Sequence, residues 1–221
     1  MLNKVKFIAI ATLSATSMSA NSWPDGNQSN CLYAVTVSGT PSRQTPCPAA
    51  DPIDLANNES IKIAISLLNI NMSELSFRGC ELGRFSAMPD DRSDKKYIIS
   101  YKIDKEKFLA PTLHELSHVL QMKNAGGSLA LSKKYRSKRI ELAADYMTGV
   151  MFSRLFKNMD LKKFEQNILL TGLYFESSEL AHGRPDERIS AFRLGVFEKK
   201  GKINMSEIEL DFQRNIYAKF F

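Results

Sequence analysis

The chain has 221 residues, 43% hydrophobic and 24% charged, with a net charge of +6, which suits one globular domain with a sizeable core. The charge is mild, and no aromatic-basic stripe or zinc-finger spacing accompanies it, so a nucleic-acid module is not expected. Three cysteines, Cys31, Cys47 and Cys80, contain no C-x-x-C pair, which argues against a cysteine-ligated zinc site and a thioredoxin-like motif.

In chain order, residues 1–20 read as a secretory signal: Lys4 and Lys6 precede an apolar stretch beginning at Phe7 to Ala11, and small residues follow from Ser14 to Ala20. Cleavage after Ser19 or after Ala20 fits. The apolar run falls short of the ~20 residues a spanning helix needs and is diluted by Ser and Thr. The expected product is exported, periplasmic or secreted, with no transmembrane anchor after cleavage. Removal of the two lysines lowers the net charge by two.

Residues 21–56 hold five of the eight prolines and are expected to be irregular, with one short strand at Leu32–Val37. In an oxidising compartment one disulfide is expected. Cys31–Cys47 is the first choice and would contribute about 3 kcal/mol by restricting the unfolded chain; Cys47–Cys80 is the alternative.

Residues 57–221 form the expected main domain. Ile61, Ile63, Ala64, Ile65, Leu67 and Leu68 predict a buried helix over Asn58–Leu68. Arg84 to Lys96 is polar and turn-rich, and Tyr97-Ile98-Ile99-Ser100-Tyr101 is β-prone. Pro111 suits the first turn of a helix, which Asn124, Gly126 and Gly127 end, and Leu113, Leu116 and Leu120 give it an aliphatic stripe. The run Lys133-Lys134-Tyr135-Arg136-Ser137-Lys138-Arg139 reads as a solvated linker, or secondly as a contact for an anionic surface or substrate. Further helices are predicted over Lys138–Leu155, Asp160–Tyr174, Asp186–Lys199 and Ser206–Lys219. The fold class is α+β, mostly helical with a small sheet. The Asn-x-Ser sequons at Asn27, Asn58, Asn71 and Asn204 matter only in a host that glycosylates them.

Two of the three histidines fall in His114-Glu115-Leu116-Ser117-His118. Positions i and i+4 share a helix face, so both imidazoles can reach one metal ion, with Glu115 beside it to take a proton from a bound water. A catalytic zinc usually has three protein ligands and one open position. Glu141-Leu142-Ala143-Ala144-Asp145 lies 23 residues beyond His118, again with an i, i+4 pair. Glu141 can supply the third ligand, and Asp145 can accept a hydrogen bond from the far nitrogen of a ligating histidine.

These motifs together resemble the gluzincin metallopeptidases, closest to bacterial neutral zinc metallopeptidase-like proteins and their relatives in the CAAX prenyl endopeptidase superfamily. Phe85-Ser86-Ala87-Met88-Pro89 with Tyr97-Ile98-Ile99 resembles the turn and edge strand that precede the metal helix there. Ile140 to Gly149 resembles the "ELxADxxAG" helix, and His182-Gly183-Arg184-Pro185-Asp186-Glu187-Arg188 resembles the "HGxxxxR" element. The resemblance covers about residues 85 to 195. It implies a zincin-like domain with a sheet edge strand beside the metal helix, and one zinc per chain on His114, His118 and Glu141. It also implies Glu115 as general base and acid, Asp145 behind the ligands, His182 near the oxyanion, and Arg188 holding that element through a carboxylate. The strand at Tyr97, Ile98 and Ile99 would pair with a polypeptide substrate by β-addition. The implied activity is an exported zinc endopeptidase. The alternative is a catalytically silent metallopeptidase-like binding or regulatory protein. Departures from the family are the lack of later membrane spans and Gly183 in place of a proline. No Gly-x-Ser-x-Gly elbow or phosphate-binding glycine loop is present.

Overall fold

The structure, a computed structural model, describes residues 55–80, 85–90, 93–102, 107–169, 182–198 and 204–220. The expected signal, the strand at Leu32–Val37, the Cys31–Cys47 pair and the ends of two predicted helices lie outside these residues.

The described chain starts with Leu55 already in the core. Helix α1 (Glu59–Leu67) is capped by Asn58, whose side chain accepts from the Ile61 amide at 3.2 Å, and it buries Ile61, Ala64 and Ile65. Asn71 caps a 3-10 turn at Met72–Glu74, and Asn204 caps a later helix, so three of the four sequon asparagines are helix caps. A three-stranded sheet follows: β1 (Leu75–Cys80), β2 (Ser86–Asp90) and β3 (Ser93–Lys102), in the order β1-β3-β2. β3 runs parallel to β1 and antiparallel to β2.

The sheet corrects two expectations. The stretch from Arg84 to Lys96 is not simply a polar turn region, because Phe85, Ala87 and Met88 are buried and β2 zips onto β3. The expected edge strand is central: Tyr97 and Ile99 pair with Leu75 and Phe77 on one side, and with Pro89 and Ala87 on the other.

Two core helices follow. Helix α2 (Leu109–Ala125) carries Pro111 in its first turn and stops at Gly126, which is left-handed (φ 84). Every residue from Ala110 to Met122 is buried. The helix with the aliphatic stripe is therefore encased on all sides, and several of its polar residues find partners inside. Thr112 and Ser117 donate to the carbonyls of Phe108 and Leu113, one turn back. A short α3 (Ser128–Lys134) places exposed Lys133 and Lys134 at its C-terminal end, where the helix dipole favours them. Part of the expected basic linker is thus helical. Helix α4 (Ser137–Leu155) is buried continuously from Ile140 to Phe152.

Helices α5 (Leu161–Ile168) and α6 (Pro185–Val196) close the core over α4. Phe164 stacks on Phe192 with centroids 5.7 Å apart, and both pack near Phe152. The chain ends its described part in α7 (Met205–Asp211), a π-helical turn at Phe212–Ile216 and a last turn at Tyr217–Phe220. Arg139 fastens this end to α4, donating to Gln213 and lying over the Tyr217 ring.

The tightest packing is where α4 crosses α6. A Cβ on Gly149 would lie 2.9 Å from the Phe192 carbonyl carbon and from the Val196 nitrogen, and nearer still to the Phe192 carbonyl oxygen. Gly195 meets Tyr146 and Val150 in the same way. The two backbones touch because neither residue has a side chain. Gly149→Ala or Gly195→Ala should therefore force the helices apart and cost about 3 kcal/mol or more by chemical denaturation. Gly126→Ala should cost only about 1–2 kcal/mol, since open space surrounds it and only its backbone conformation is strained.

Candidate metal centre

His114, Glu115 and His118 come from α2, Glu141 and Asp145 from α4, and Arg188 from α6, with His182 just before α6. All are at most 5% exposed. His114 Nε2 lies 3.1 Å and His118 Nε2 3.4 Å from Glu141 Oε2, and the two Nε2 atoms are 3.0 Å apart. The three residues form a buried group that can hold a metal ion.

The neighbours decide what these atoms present to one another. His114 Nδ1 is 2.8 Å from Asp145 Oδ1. Asp145 also takes a fork from Arg188, Nε to Oδ2 at 2.8 Å and Nη2 to Oδ1 at 2.9 Å, which keeps the carboxylate ionised and the His114 Nδ1 protonated. His118 Nδ1 is 2.7 Å from Gln121 Oε1. The Gln121 amide nitrogen donates to the Ile140 carbonyl at 2.9 Å, so the amide oxygen must face His118 and accept its Nδ1–H. In both neutral rings the lone pair is then on Nε2. Two imidazole lone pairs and a carboxylate converge on one point, and a proton or a cation has to lie between them. Bonds of ~2.0–2.1 Å at the tetrahedral angle separate ligand atoms by ~3.3–3.4 Å. The observed separations sit close to that edge, so the residues present fit a tetrahedral cation.

Electrostatics agree. Burial disfavours charge on Glu141, yet His118, His182 and His114 hold its pKa well below the ordinary glutamate value. Burial likewise works against ionised Asp145, and Arg188 and His114 outweigh it, leaving its pKa lowered. Burial pushes His114 down, but the Asp145 and Glu141 carboxylates more than offset this and leave it raised. A proton on His114 Nε2 is thus the competitor of a metal ion.

Gly183 (φ 87) sets the position of His182. A Cβ there would sit 3.1 Å from Leu142 Cδ2, besides straining the backbone. Glu187 fixes the start of α6, accepting from the Arg184 amide at 2.9 Å and from Lys138 Nζ at 2.6 Å. His182 Nε2 then lies 4.0 Å from Glu141 Oε1, and neither ring nitrogen has a hydrogen-bond partner. Its pKa is lowered, chiefly by burial and despite the nearby Glu141, so the ring is neutral.

The structure thus gathers seven of the residues singled out in the sequence around one point. It does not place Tyr97, Ile98 and Ile99 where a substrate strand could pair with them, because both sides of β3 are occupied. Cys31 and Cys47 lie outside the described residues. The sequence reading missed Gln121, which the i, i+3 spacing from His118 and its place between apolar Leu120 and Met122 could have flagged.

No protein-family model matches the chain, and no curated protein or solved structure does either.

Two outcomes are expected. Arg188→Met strands a buried carboxylate and should cost about 3–5 kcal/mol by denaturant titration, with Asp145→Asn in the same chain recovering part of it. Metal affinity, measured by competition with a chelator, should be level above the raised pKa of His114. It should fall about tenfold per pH unit below it, as one proton displaces the ion.

Proposed function

We propose that the chain is an exported zinc-dependent endopeptidase with a zincin-like fold, of gluzincin type, holding one zinc on His114, His118 and Glu141. The observation that carries this reading is the convergence of three buried ligand atoms at near-tetrahedral spacing, with Glu115 next to His114 on the same helix. The resemblance of the His-Glu-x-x-His and Glu-x-x-x-Asp helices to the gluzincins supports it. So does the apolar leader at residues 1–20. Among the described residues, no helix is long and apolar enough to cross a membrane.

When bound, zinc supplies a Lewis acid that polarises a carbonyl and brings the pKa of a coordinated water to about 7. Glu115 takes the proton of the attacking water and passes it to the leaving amine nitrogen. His182, neutral and with both ring nitrogens free of partners, donates an N–H to the carbonyl oxygen as negative charge develops there, an interaction typically worth ~3–4 kcal/mol. Asp145 keeps His114 in the Nδ1–H tautomer, and Arg188 keeps Asp145 ionised and in place.

One observation favours the second reading, a metal-holding protein that does not turn over peptide. His114, Glu115 and His118 have no exposed surface, and closed metal sites are more often structural than catalytic. Glu115→Gln separates the two. The endopeptidase reading expects this variant to keep its zinc while cleavage of unfolded proteins and peptide libraries falls by ~10²–10⁴-fold. Wild type and variant equally inert, both loaded with zinc, would leave the silent reading standing.

A further inference from the structure

Gln121 is a polar side chain of the cluster that ties α2 to the backbone of α4. Its oxygen is 2.7 Å from His118 Nδ1 on α2, and its nitrogen is 2.9 Å from the carbonyl of Ile140 on α4, the residue just before Glu141. Its side chain has no exposed surface. A planar amide cannot turn over here without setting its oxygen against the Ile140 carbonyl, so the oxygen stays toward His118 Nδ1. It therefore dictates both the tautomer of His118 and the axial position of the backbone that carries Glu141.

We infer that Gln121 is a positioning residue for the metal centre, setting the Nε2 lone pair of His118 and the height of Glu141 together. The inference rests on the metal-centre reading for its effect on affinity, but its effect on the tautomer does not. The two ligand histidines are thereby backed differently. His114 leans on an ionised carboxylate held by Arg188, while His118 leans on a neutral amide. A carboxylate partner makes an imidazole a more basic ligand than an amide partner does. Behind His118 the neutral amide adds orientation without adding negative charge. Among the three ligand groups only Glu141 is a carboxylate, so a divalent cation on them keeps net positive charge and with it the ability to polarise a further ligand.

Gln121→Met keeps the volume and removes both hydrogen bonds. Gln121→Glu keeps the shape and an oxygen for His118 Nδ1–H; in its protonated form it can also donate to Ile140. Two readouts are compared in the full chain. Zinc affinity by chelator competition should drop ~10–100-fold in Gln121→Met and be largely restored in Gln121→Glu. Imidazole ¹⁵N shifts of the metal-free protein should show His118 as the Nδ1–H tautomer in wild type and in Gln121→Glu, and a mixture with Nε2–H in Gln121→Met. If wild type takes up no zinc, the metal-centre reading falls, and the tautomer comparison still decides the role of Gln121. If wild type binds zinc and Gln121→Met binds it as tightly with an unchanged His118 tautomer, the positioning role is overturned and the metal centre stands.

Discussion

The centre of this protein depends on the forked pair between Arg188 and Asp145, both buried. An isolated carboxylate in such a place would protonate or destabilise the fold. With Arg188 across both oxygens it stays ionised, and so it can hold the Nδ1 proton of His114 and turn the Nε2 lone pair toward Glu141. Arg188 reaches Asp145 because α6 lies against the backbone of α4, and that approach exists because Gly149 and Gly195 carry no side chains where the helices meet. A packing constraint between two glycines thus sets the electrostatics of a site nearer the start of both helices.

Burial explains why the cluster is so fully interconnected. Inside a protein each polar atom without a partner is costly, and both ligand helices are enclosed on all sides. Thr112, Ser117 and Thr148 turn back to carbonyls on their own helices, while His114, His118, Gln121, Glu141, Asp145 and Arg188 satisfy one another. His182, at the edge of the cluster, has no hydrogen-bond partner at either ring nitrogen, which suits the donor role proposed for it.

Much of the site was legible in the sequence because helical spacing is a strict geometric rule: i, i+4 pairs at His114 and His118 and at Glu141 and Asp145 put each pair on one face without any knowledge of the fold. Helices α4 and α6 lie where helices were predicted over Lys138–Leu155 and Asp186–Lys199, and α1 was visible from its apolar periodicity. The sheet was not. Strand β1 had no strong alternation, β2 was hidden in a polar, Pro-containing stretch, and pairing order is a property of the assembled sheet, so β3 was taken for an edge when it is central. The full burial of α2 was not legible either: the stripe at Leu113, Leu116 and Leu120 marks one packed face, whereas the enclosure of the other depends on hydrogen bonds to residues on other elements. The spacing of Gln121 from His118 was readable, but its second bond, to the Ile140 carbonyl on another helix, was not.

In the proposed centre two imidazoles and one carboxylate present their lone pairs to a single cation. X-ray absorption on the purified protein reads this directly. The expected spectrum shows about one zinc per chain with nitrogen and oxygen neighbours at ~2.0–2.1 Å, two of them imidazole, and no sulfur. A protein that holds no metal, or whose metal has sulfur ligands, would contradict it.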